Sequence, residues 1–140
     1  PTPIQEQAIP VALTGKDVRL LVPGQSDSGF VNAASRSFYE GLLDSGVKIY
    51  LYQKGFIHSK TLIVDDYLSI VGTANMDLRS FNLNFEINAV VYGKDFCGQL
   101  EQSFLEDIGH SKQITLRMWQ HRTNKEKLGS KIARLFSNVL

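Results

Sequence analysis

The sequence is constrained most by an alternation of strand-like and helix-like segments in its first half. Residues 18–22 and 48–52 are short apolar runs, and such runs predict buried strands. The segment between them repeats apolar residues at helical spacing ahead of a glycine: Val31, Ala34, Phe38, Leu42 and Gly46. A strand–helix–strand order predicts an α/β layered fold in which the two strands pair in parallel.

The second half of the chain predicts a β-hairpin, a further strand and a helix. Residues 61–64 and 67–71 are rich in β-formers and flank Asp65-Asp66, so we expect a two-residue turn at the paired aspartates. Residues 85–92 predict the next strand. The helix is indicated by apolar residues at helical spacing before a glycine: Phe96, Leu100, Phe104, Ile108 and Gly109.

The composition is that of one globular domain. Of the 140 residues, 43% are hydrophobic and 21% are charged. No apolar run approaches the roughly 20 residues that cross a bilayer, and the amino terminus lacks the layout of a secretory signal, so we expect neither a transmembrane segment nor a signal peptide. The single cysteine, Cys97, excludes an internal disulfide and a cysteine-rich metal site, and it is predicted to be a packing residue.

Charge is distributed unevenly along the chain. Residues 1–109 carry 8 basic and 13 acidic residues, whereas residues 110–140 carry 7 basic residues and only 1 acidic residue. Apolar residues near the end recur at helical spacing between lysines and arginines: Leu128, Ile132, Leu135, Phe136 and Val139. This pattern predicts a basic amphipathic helix, which either docks on its own domain or contacts an anionic membrane surface.

Four polar side chains are predicted to converge at one end of the hairpin. His58 and Lys60 are two residues apart and project from one face of a strand. A two-residue turn at Asp65-Asp66 would place Thr73 opposite His58, with Asn75 on the same face. An imidazole, an ammonium, a hydroxyl and a carboxamide suit an anionic tetrahedral centre better than a metal.

Two carboxylates complete the candidate set. Side-chain alternation puts Asp65 on the face opposite His58 unless a bulge intervenes, so Asp65 is expected to shape the turn rather than to touch substrate. Glu86 alternates out of phase with its apolar neighbours and is expected on the polar side. There its carboxylate could hold the imidazole in one orientation.

The spacing of these residues is similar to the signature of the phospholipase D superfamily. His58-x-Lys60-x4-Asp65 is followed by Gly72-Thr73-x-Asn75. Within the superfamily, the stretch GVKIYLYQKGFIHSKTLIVDDYLSIVGTANMDLRSFNLNFEINAVVYG resembles the carboxy-terminal catalytic half of bacterial cardiolipin synthases. The resemblance covers residues 18–140 and implies an α/β fold with a phospholipase D-like mixed β-sheet flanked by helices, in a single truncated domain.

The resemblance also implies a mechanism. The histidine matching His58 would attack phosphorus and form a phosphohistidine, and the residues matching Lys60 and Asn75 would bind phosphoryl oxygens. Glu86 matches a position that hydrogen-bonds the nucleophile. We therefore assign His58, Lys60, Asp65 and Glu86 as candidate catalytic residues, and Lys60, Thr73 and Asn75 as candidate phosphate-binding residues. No cofactor or metal is implied.

The partners implied are a lipid and a second copy of the chain. The family completes its site with two facing motifs, and this chain has one, so a homodimer is expected. Phosphatidylglycerol, an anionic phospholipid, is the expected substrate, and the protein is expected to be peripheral to the bacterial cytoplasmic membrane. Because a basic tail attracts lipid and nucleic acid alike, a phosphodiesterase or nuclease of the same superfamily is the alternative function.

A second resemblance concerns residues 1–17. PTPIQEQAIPVALTGKD is similar to the Q motif of DEAD-box RNA helicases, in which the glutamine matching Gln5 reads the adenine of ATP. The phosphate-binding loop that should follow is missing, so we expect no ATP binding and an ordinary surface or cap role for Gln5. The segment is instead expected to form a packing helix that buries four apolar residues: Ile4, Ala8, Ile9 and Leu13.

The two resemblances meet near Asp17-Val18 and divide the chain into three predicted parts. These are a Q-motif-like helical segment (1–17), a catalytic half-domain (18–109) and a basic amphipathic tail (110–140). Such a junction is typical of a chimera, natural or engineered. A non-catalytic chimeric fold that retains the motif residues without a working site is the remaining alternative.

Overall fold

The computed structural model describes residues 17–25, 36–74, 84–123 and 126–129. Within these ranges the strands are β1 (Arg19–Pro23), β2 (Lys48–Tyr52), β3 (Thr61–Val64), β4 (Leu68–Gly72), β5 (Asn88–Tyr92) and β6 (Ser111–Ile114). The helices are α1 (Tyr39–Asp44), α2 (Lys94–Gly109) and α3 (Leu116–Gln120). The predicted α/β class is confirmed.

The described strands form two three-stranded sheets. In the first sheet, β2 is central and pairs in parallel with β1, as predicted, and antiparallel with β6. In the second sheet, β4 is central and pairs antiparallel with β3 and β5. Over the described ranges, the mixed sheet expected from the sequence is therefore the first sheet, and the site hairpin belongs to a separate antiparallel one.

The main hydrophobic core lies between the first sheet and the helices α1 and α3. Its buried members come from α1, β2, β6, α3 and the residue before β2: Tyr39, Leu42, Val47, Ile49, Ile114 and Trp119. The rings of Tyr39 and Trp119 have centroids 5.2 Å apart, and the Arg122 guanidinium lies 3.4 Å from the centroid of the Trp119 ring. The core therefore depends on residues near the carboxyl end of the described chain.

A glycine ends α1 and directs the chain into β2. Gly46 has a φ of +91°, a conformation that residues with a Cβ rarely adopt. Its N–H donates to the Leu43 carbonyl at 3.1 Å, and the Val47 N–H donates to the Leu42 carbonyl at 3.0 Å. These bonds satisfy carbonyls of the last helical turn, so the helix stops where the sequence predicts.

The helix α2 contacts strands of both sheets. Cys97 in its first turns is fully buried, as predicted, with its Sγ 3.8 Å from the Leu68 carbonyl oxygen of β4. Among the described residues, no helix combines the length and the apolar character needed to cross a bilayer.

The strand β6 and the helix α3 lie within the range 110–140 that the sequence assigned to a basic tail. β6 is an edge strand beside β2, and Thr115 caps the start of α3, because its Oγ1 accepts the Met118 N–H at 3.3 Å. The amphipathic helix predicted after Lys125 and the packing helix predicted in residues 1–17, with Ile4, Gln5, Ala8, Ile9 and Leu13, lie outside the described residues, apart from 126–129.

Candidate active site

His58 lies in the segment of residues 53–60 that leads from β2 to the hairpin. Gly55 in this segment has a φ of +123°, which favours glycine. The pairing with β4 starts before β3 itself, because the Gly72 N–H donates to the Lys60 carbonyl at 3.1 Å. His58 therefore sits two residues from the end of the paired region, with an exposed side chain.

The structure brings His58 and Lys60 together through the backbone. The Lys60 ammonium donates to the carbonyl oxygen of His58 at 2.6 Å. The imidazole ring itself lies beside the Phe56 ring, with centroids 5.5 Å apart and planes 23° apart. An exposed imidazole, with an ammonium held at the backbone carbonyl of the same residue, is a suitable arrangement for a nucleophile that attacks an anionic phosphoryl group.

The predicted register of the hairpin is wrong by one residue. Asp65 and Asp66 have φ values of 49° and 50°, and the Tyr67 N–H donates to the Val64 carbonyl at 3.4 Å, as in a two-residue turn. However, Val64 pairs with Leu68, so Tyr67 is an additional residue on one strand. Such a bulge moves every later residue of β4 to the face opposite to that predicted.

This shift changes which groups share a face with His58. Continuing the observed pairing sets Ser59, rather than His58, opposite Thr73. The predicted convergence of Thr73 on the face of His58 and Lys60 is therefore corrected, because the bulge at Tyr67 reverses the side on which Thr73 projects.

Thr73 and Glu86, two residues of the predicted site, do come together. The Thr73 hydroxyl donates to Glu86 Oε2 at 2.5 Å and accepts the Ile87 N–H at 3.0 Å. The other carboxylate oxygen, Oε1, accepts from the Asn84 amide at 3.3 Å. The Glu86 carboxylate is thus anchored to the continuation of β4 and to the segment before β5.

The other two predicted site residues are Asp65, which the structure describes, and Asn75, which it does not. Asp65 occupies the turn at the far end of β3, seven residues from His58, which corresponds to about 20 Å along an extended strand. Asn75 lies outside the described residues. In the described ranges, no group of three or more His, Cys, Asp or Glu side chains is placed to hold a metal ion.

Sequence reasoning missed two residues next to the site. Phe56 contacts the imidazole, and the sequence signal for it is an aromatic residue two positions before His58. Gly72 is the other: a Cβ added there would lie 2.5 Å from the Ile87 carbonyl oxygen, so glycine permits the close approach of β4 and β5.

One face of the second sheet is apolar and exposed to solvent. Cross-strand pairs place six residues on this open face: Leu62, Val64, Leu68, Ile70, Val90 and Tyr92. Val90 is 50% exposed and Tyr92 is 67% exposed, and the two residues of β3 are also exposed. Because alternate residues share a face, Lys60 and His58 continue the β3 row of the open face.

Comparisons with known proteins identify relatives along most of the chain. A family model described as "Cardiolipin synthase, PLD-like domain" matches residues 2–108. The cardiolipin synthase of Geobacillus kaustophilus (strain HTA426) is 48% identical over 129 residues, which make up 92% of this chain and 26% of the relative. That of Clostridium perfringens (strain SM101 / Type A) is 41% identical over 138 residues, or 99% of this chain and 29% of the relative.

These alignments cover only part of each relative, and they include the first residues of this chain. The chain spans about a quarter of the length of the curated relatives it matches. The family match and the Clostridium alignment both include nearly all of residues 1–17. The comparisons therefore do not show the helicase chimera that the sequence predicted.

Two solved structures share the fold. The phospholipase D family member Nuc from Salmonella typhimurium superposes with a TM-score of 0.69 at 16% identity, covering 80% of this chain and 73% of Nuc. Phosphatidylserine synthase from Haemophilus influenzae Rd KW20 gives a TM-score of 0.72 at 16% identity, covering 97% of this chain and 36% of that structure.

Proposed function

Because the chain belongs to the family of phospholipase D-like domains of cardiolipin synthases, we propose that it is one half of a phosphatidyltransferase site. The observation that carries the proposal is the placement of His58 and Lys60. Both lie at the end of the hairpin, on the side that continues the open face, and the imidazole is exposed. A nucleophile in this position can be approached by a substrate and by a second half-domain.

The proposed reaction proceeds in two displacements at phosphorus. A nitrogen of His58 attacks the phosphorus of phosphatidylglycerol, an N–P bond forms, and the P–O bond to the glycerol headgroup breaks. A second histidine protonates the leaving alkoxide. A hydroxyl of another phosphatidylglycerol then attacks phosphorus and gives its proton to that second histidine. The N–P bond breaks, cardiolipin is released and His58 is regenerated.

Lys60 and Asn75 are proposed to bind the phosphoryl oxygens during both displacements. An ammonium and an amide N–H stabilise the negative charge that develops on these oxygens in the transition state. Glu86 is proposed to hold the nucleophilic imidazole. Thr73 is proposed to act with it, because its hydroxyl donates to the Glu86 carboxylate.

The second histidine is proposed to come from a second copy of the chain. The described part of one copy supplies one His58, and the open face beside it leaves a large apolar surface exposed to water. In a symmetric dimer each subunit offers the same surface, so two His58 side chains can meet across one cleft.

The lipid substrate also implies where the protein acts. We propose that the basic tail holds it at an anionic membrane surface, because each Lys or Arg near a negative leaflet contributes about 1 kcal/mol to binding. Sedimentation with phosphatidylglycerol vesicles measures this binding, which should fall steeply with salt. Equal binding after removal of residues 124–140 would contradict it.

The test of the proposed function is a search for the intermediate. The 140-residue chain is incubated with phosphatidylglycerol vesicles, quenched under alkaline conditions that preserve phosphohistidine, and digested. We expect the peptide that contains His58 to gain the mass of one phosphatidyl group, and cardiolipin to accumulate in the lipid extract. Phosphatidic acid in place of cardiolipin would favour hydrolysis, the alternative activity.

The matched control uses another histidine of the chain. His110 is exposed, and its described hydrogen bonds are made by its backbone, so His110→Asn should leave the protein folded. His58→Asn should abolish both the adduct and the product, whereas His110→Asn should retain both. Turnover that survives His58→Asn would overturn the proposed function.

A further inference from the structure

Phe56 is an exposed aromatic residue whose described ring contact is with His58. Its ring lies 5.5 Å from the imidazole at an interplanar angle of 23°, an offset-stacked arrangement. The side chain is 56% exposed, and it does not belong to the buried core cluster around the first sheet. Packing of the core therefore does not account for an aromatic residue here.

The ring contact places both side chains on the same side of the segment before the hairpin. Gly55, with a φ of +123°, lies immediately before Phe56. The Lys60 ammonium holds the peptide oxygen of His58 at 2.6 Å, while the Phe56 ring lies along the imidazole.

An exposed imidazole on an unrestrained side chain samples several rotamers, and only some of them aim a ring nitrogen at a bound phosphorus. Contact with a flat neighbouring ring favours rotamers in which the two planes are nearly parallel. A nucleophile that is already held in the reactive orientation reacts faster than one that must first adopt that orientation. The loss of rotational freedom has then taken place before the reaction.

We propose that Phe56 is a positioning residue for His58, whose stacked ring fixes the plane of the imidazole for attack on phosphorus. This inference rests on the proposed function for its consequence, but the stacking can be measured without activity. An aromatic ring is what position 56 requires, so tyrosine should replace phenylalanine and leucine should not.

The first measurement is the NMR spectrum of the 140-residue chain. The ring current of Phe56 shifts the ring protons of His58, and nuclear Overhauser contacts join the two rings. In Phe56→Leu we expect the His58 ring protons to move to the positions of a solvated imidazole, and in Phe56→Tyr to remain shifted. His110 and His121 serve as internal references, because their signals should be the same in all three proteins.

The second measurement is the rate at which the His58 adduct forms from phosphatidylglycerol vesicles. We expect Phe56→Leu to slow it about tenfold and Phe56→Tyr to stay within about twofold of the parent chain. Since Phe56 is exposed, both variants should melt at the parent temperature.

The outcomes separate the two proposals. His58 signals that are unchanged in Phe56→Leu would overturn the stacking, and an unchanged adduct rate in a variant that has lost the stacking would overturn the positioning role. If the parent chain forms no adduct although the rings are stacked, the proposed function fails and the positioning role fails with it, while the ring contact stands.

Discussion

Gly72 is the last residue of β4 and pairs with Asn88, the first residue of β5, where the two backbones lie close together. A Cβ at this position would lie 2.5 Å from the Ile87 carbonyl oxygen, a distance that forces the strands apart. The Gly72 N–H also donates to the Lys60 carbonyl, so separating the strands would disturb the segment that carries His58 and Lys60.

We therefore expect Gly72→Ala to destabilise the fold by about 1–3 kcal/mol, the usual cost of overpacking. Gly98→Ala is the matched control, because a Cβ there meets no atom within 4 Å and alanine is the better helix former by about 1 kcal/mol. Urea unfolding should show opposite signs for the two variants. An unchanged midpoint for Gly72→Ala would mean that β4 and β5 separate without cost.

Ionisation of the buried Tyr39 phenol is expected to lower the stability of the fold at alkaline pH. Burial raises the pKa of the Tyr39 phenol to about 12, above the ordinary value near 10. The folded state therefore prefers the neutral phenol, and the stabilisation is complete below pH 10 and is lost as the pH rises toward 12.

Tyr39→Phe keeps the ring and removes the titrating group. Between pH 10 and 12 we expect the parent chain to lose about 2 kcal/mol relative to this variant, since one pKa unit corresponds to about 1.4 kcal/mol and part of the loss falls outside this range. Urea unfolding at pH 8, 10 and 12 measures the difference. Parallel losses in the two proteins would contradict the assignment to Tyr39.

At the scale of elements, β6 and α3 complete the first sheet and its core. Ile114 pairs with Ile49 across the sheet, and Trp119 packs against Tyr39. A chain that ends after Gly109 loses both side chains, although the predicted catalytic half-domain ends there. Removal of a buried tryptophan alone costs about 3–5 kcal/mol.

We expect truncation after Gly109 to abolish the cooperative thermal transition, and truncation after Thr123 to preserve it. Trp119→Ala in the full chain should lower the free energy of unfolding by about 3–5 kcal/mol. Circular dichroism melts of the three proteins test the assignment. A chain ending at Gly109 that melts like the full chain would show that β6 and α3 do not stabilise the fold.

The elements that sequence reasoning found are those whose apolar pattern is strong. The parallel pair β1 and β2 and the end of α1 at Gly46 were predictable because an apolar run and a glycine are local signals. β6 was missed because Ser-Lys-Gln-Ile is polar, as expected of an edge strand with one buried residue, Ile114.

The spacing of the site residues within one segment was predictable from the sequence, but the alignment of neighbouring strands was not. The spacing of His58 and Lys60 fixes their common side, since alternation is a property of one strand. The position of Thr73 depends on how β3 and β4 align, and one additional residue, Tyr67, reverses its face. Nothing in the two flanking runs indicates that Tyr67 lies outside the pairing.

At the scale of the whole molecule, a shared site makes activity depend on pairs of chains. If His58 of each subunit performs a separate step, a dimer with one His58→Ala chain lacks one of the two roles. An equal mixture of parent and variant, allowed to exchange subunits, should therefore retain about a quarter of the parent activity if pairing is random.

Titration of the parent chain with His58→Ala measures this dependence through cardiolipin formation. His110→Asn mixed in the same ratio controls for dilution of subunits. Activity that follows the number of parent chains in proportion would contradict a site shared between two copies.

The unequal distribution of buried residues has a consequence for local opening of the fold. The core cluster belongs to the first sheet, whereas in the second sheet and the helix over it the described side chains that are fully buried are Ser69 and Cys97. Regions with few buried apolar contacts open at lower free energy than the core. We therefore expect the site hairpin, and the segment before it that carries His58, to exchange amide hydrogens before the first sheet does. A partner that covers the open face would slow the hydrogen exchange of these amides more than that of the core amides. Binding would therefore also lengthen the time for which the hairpin stays closed.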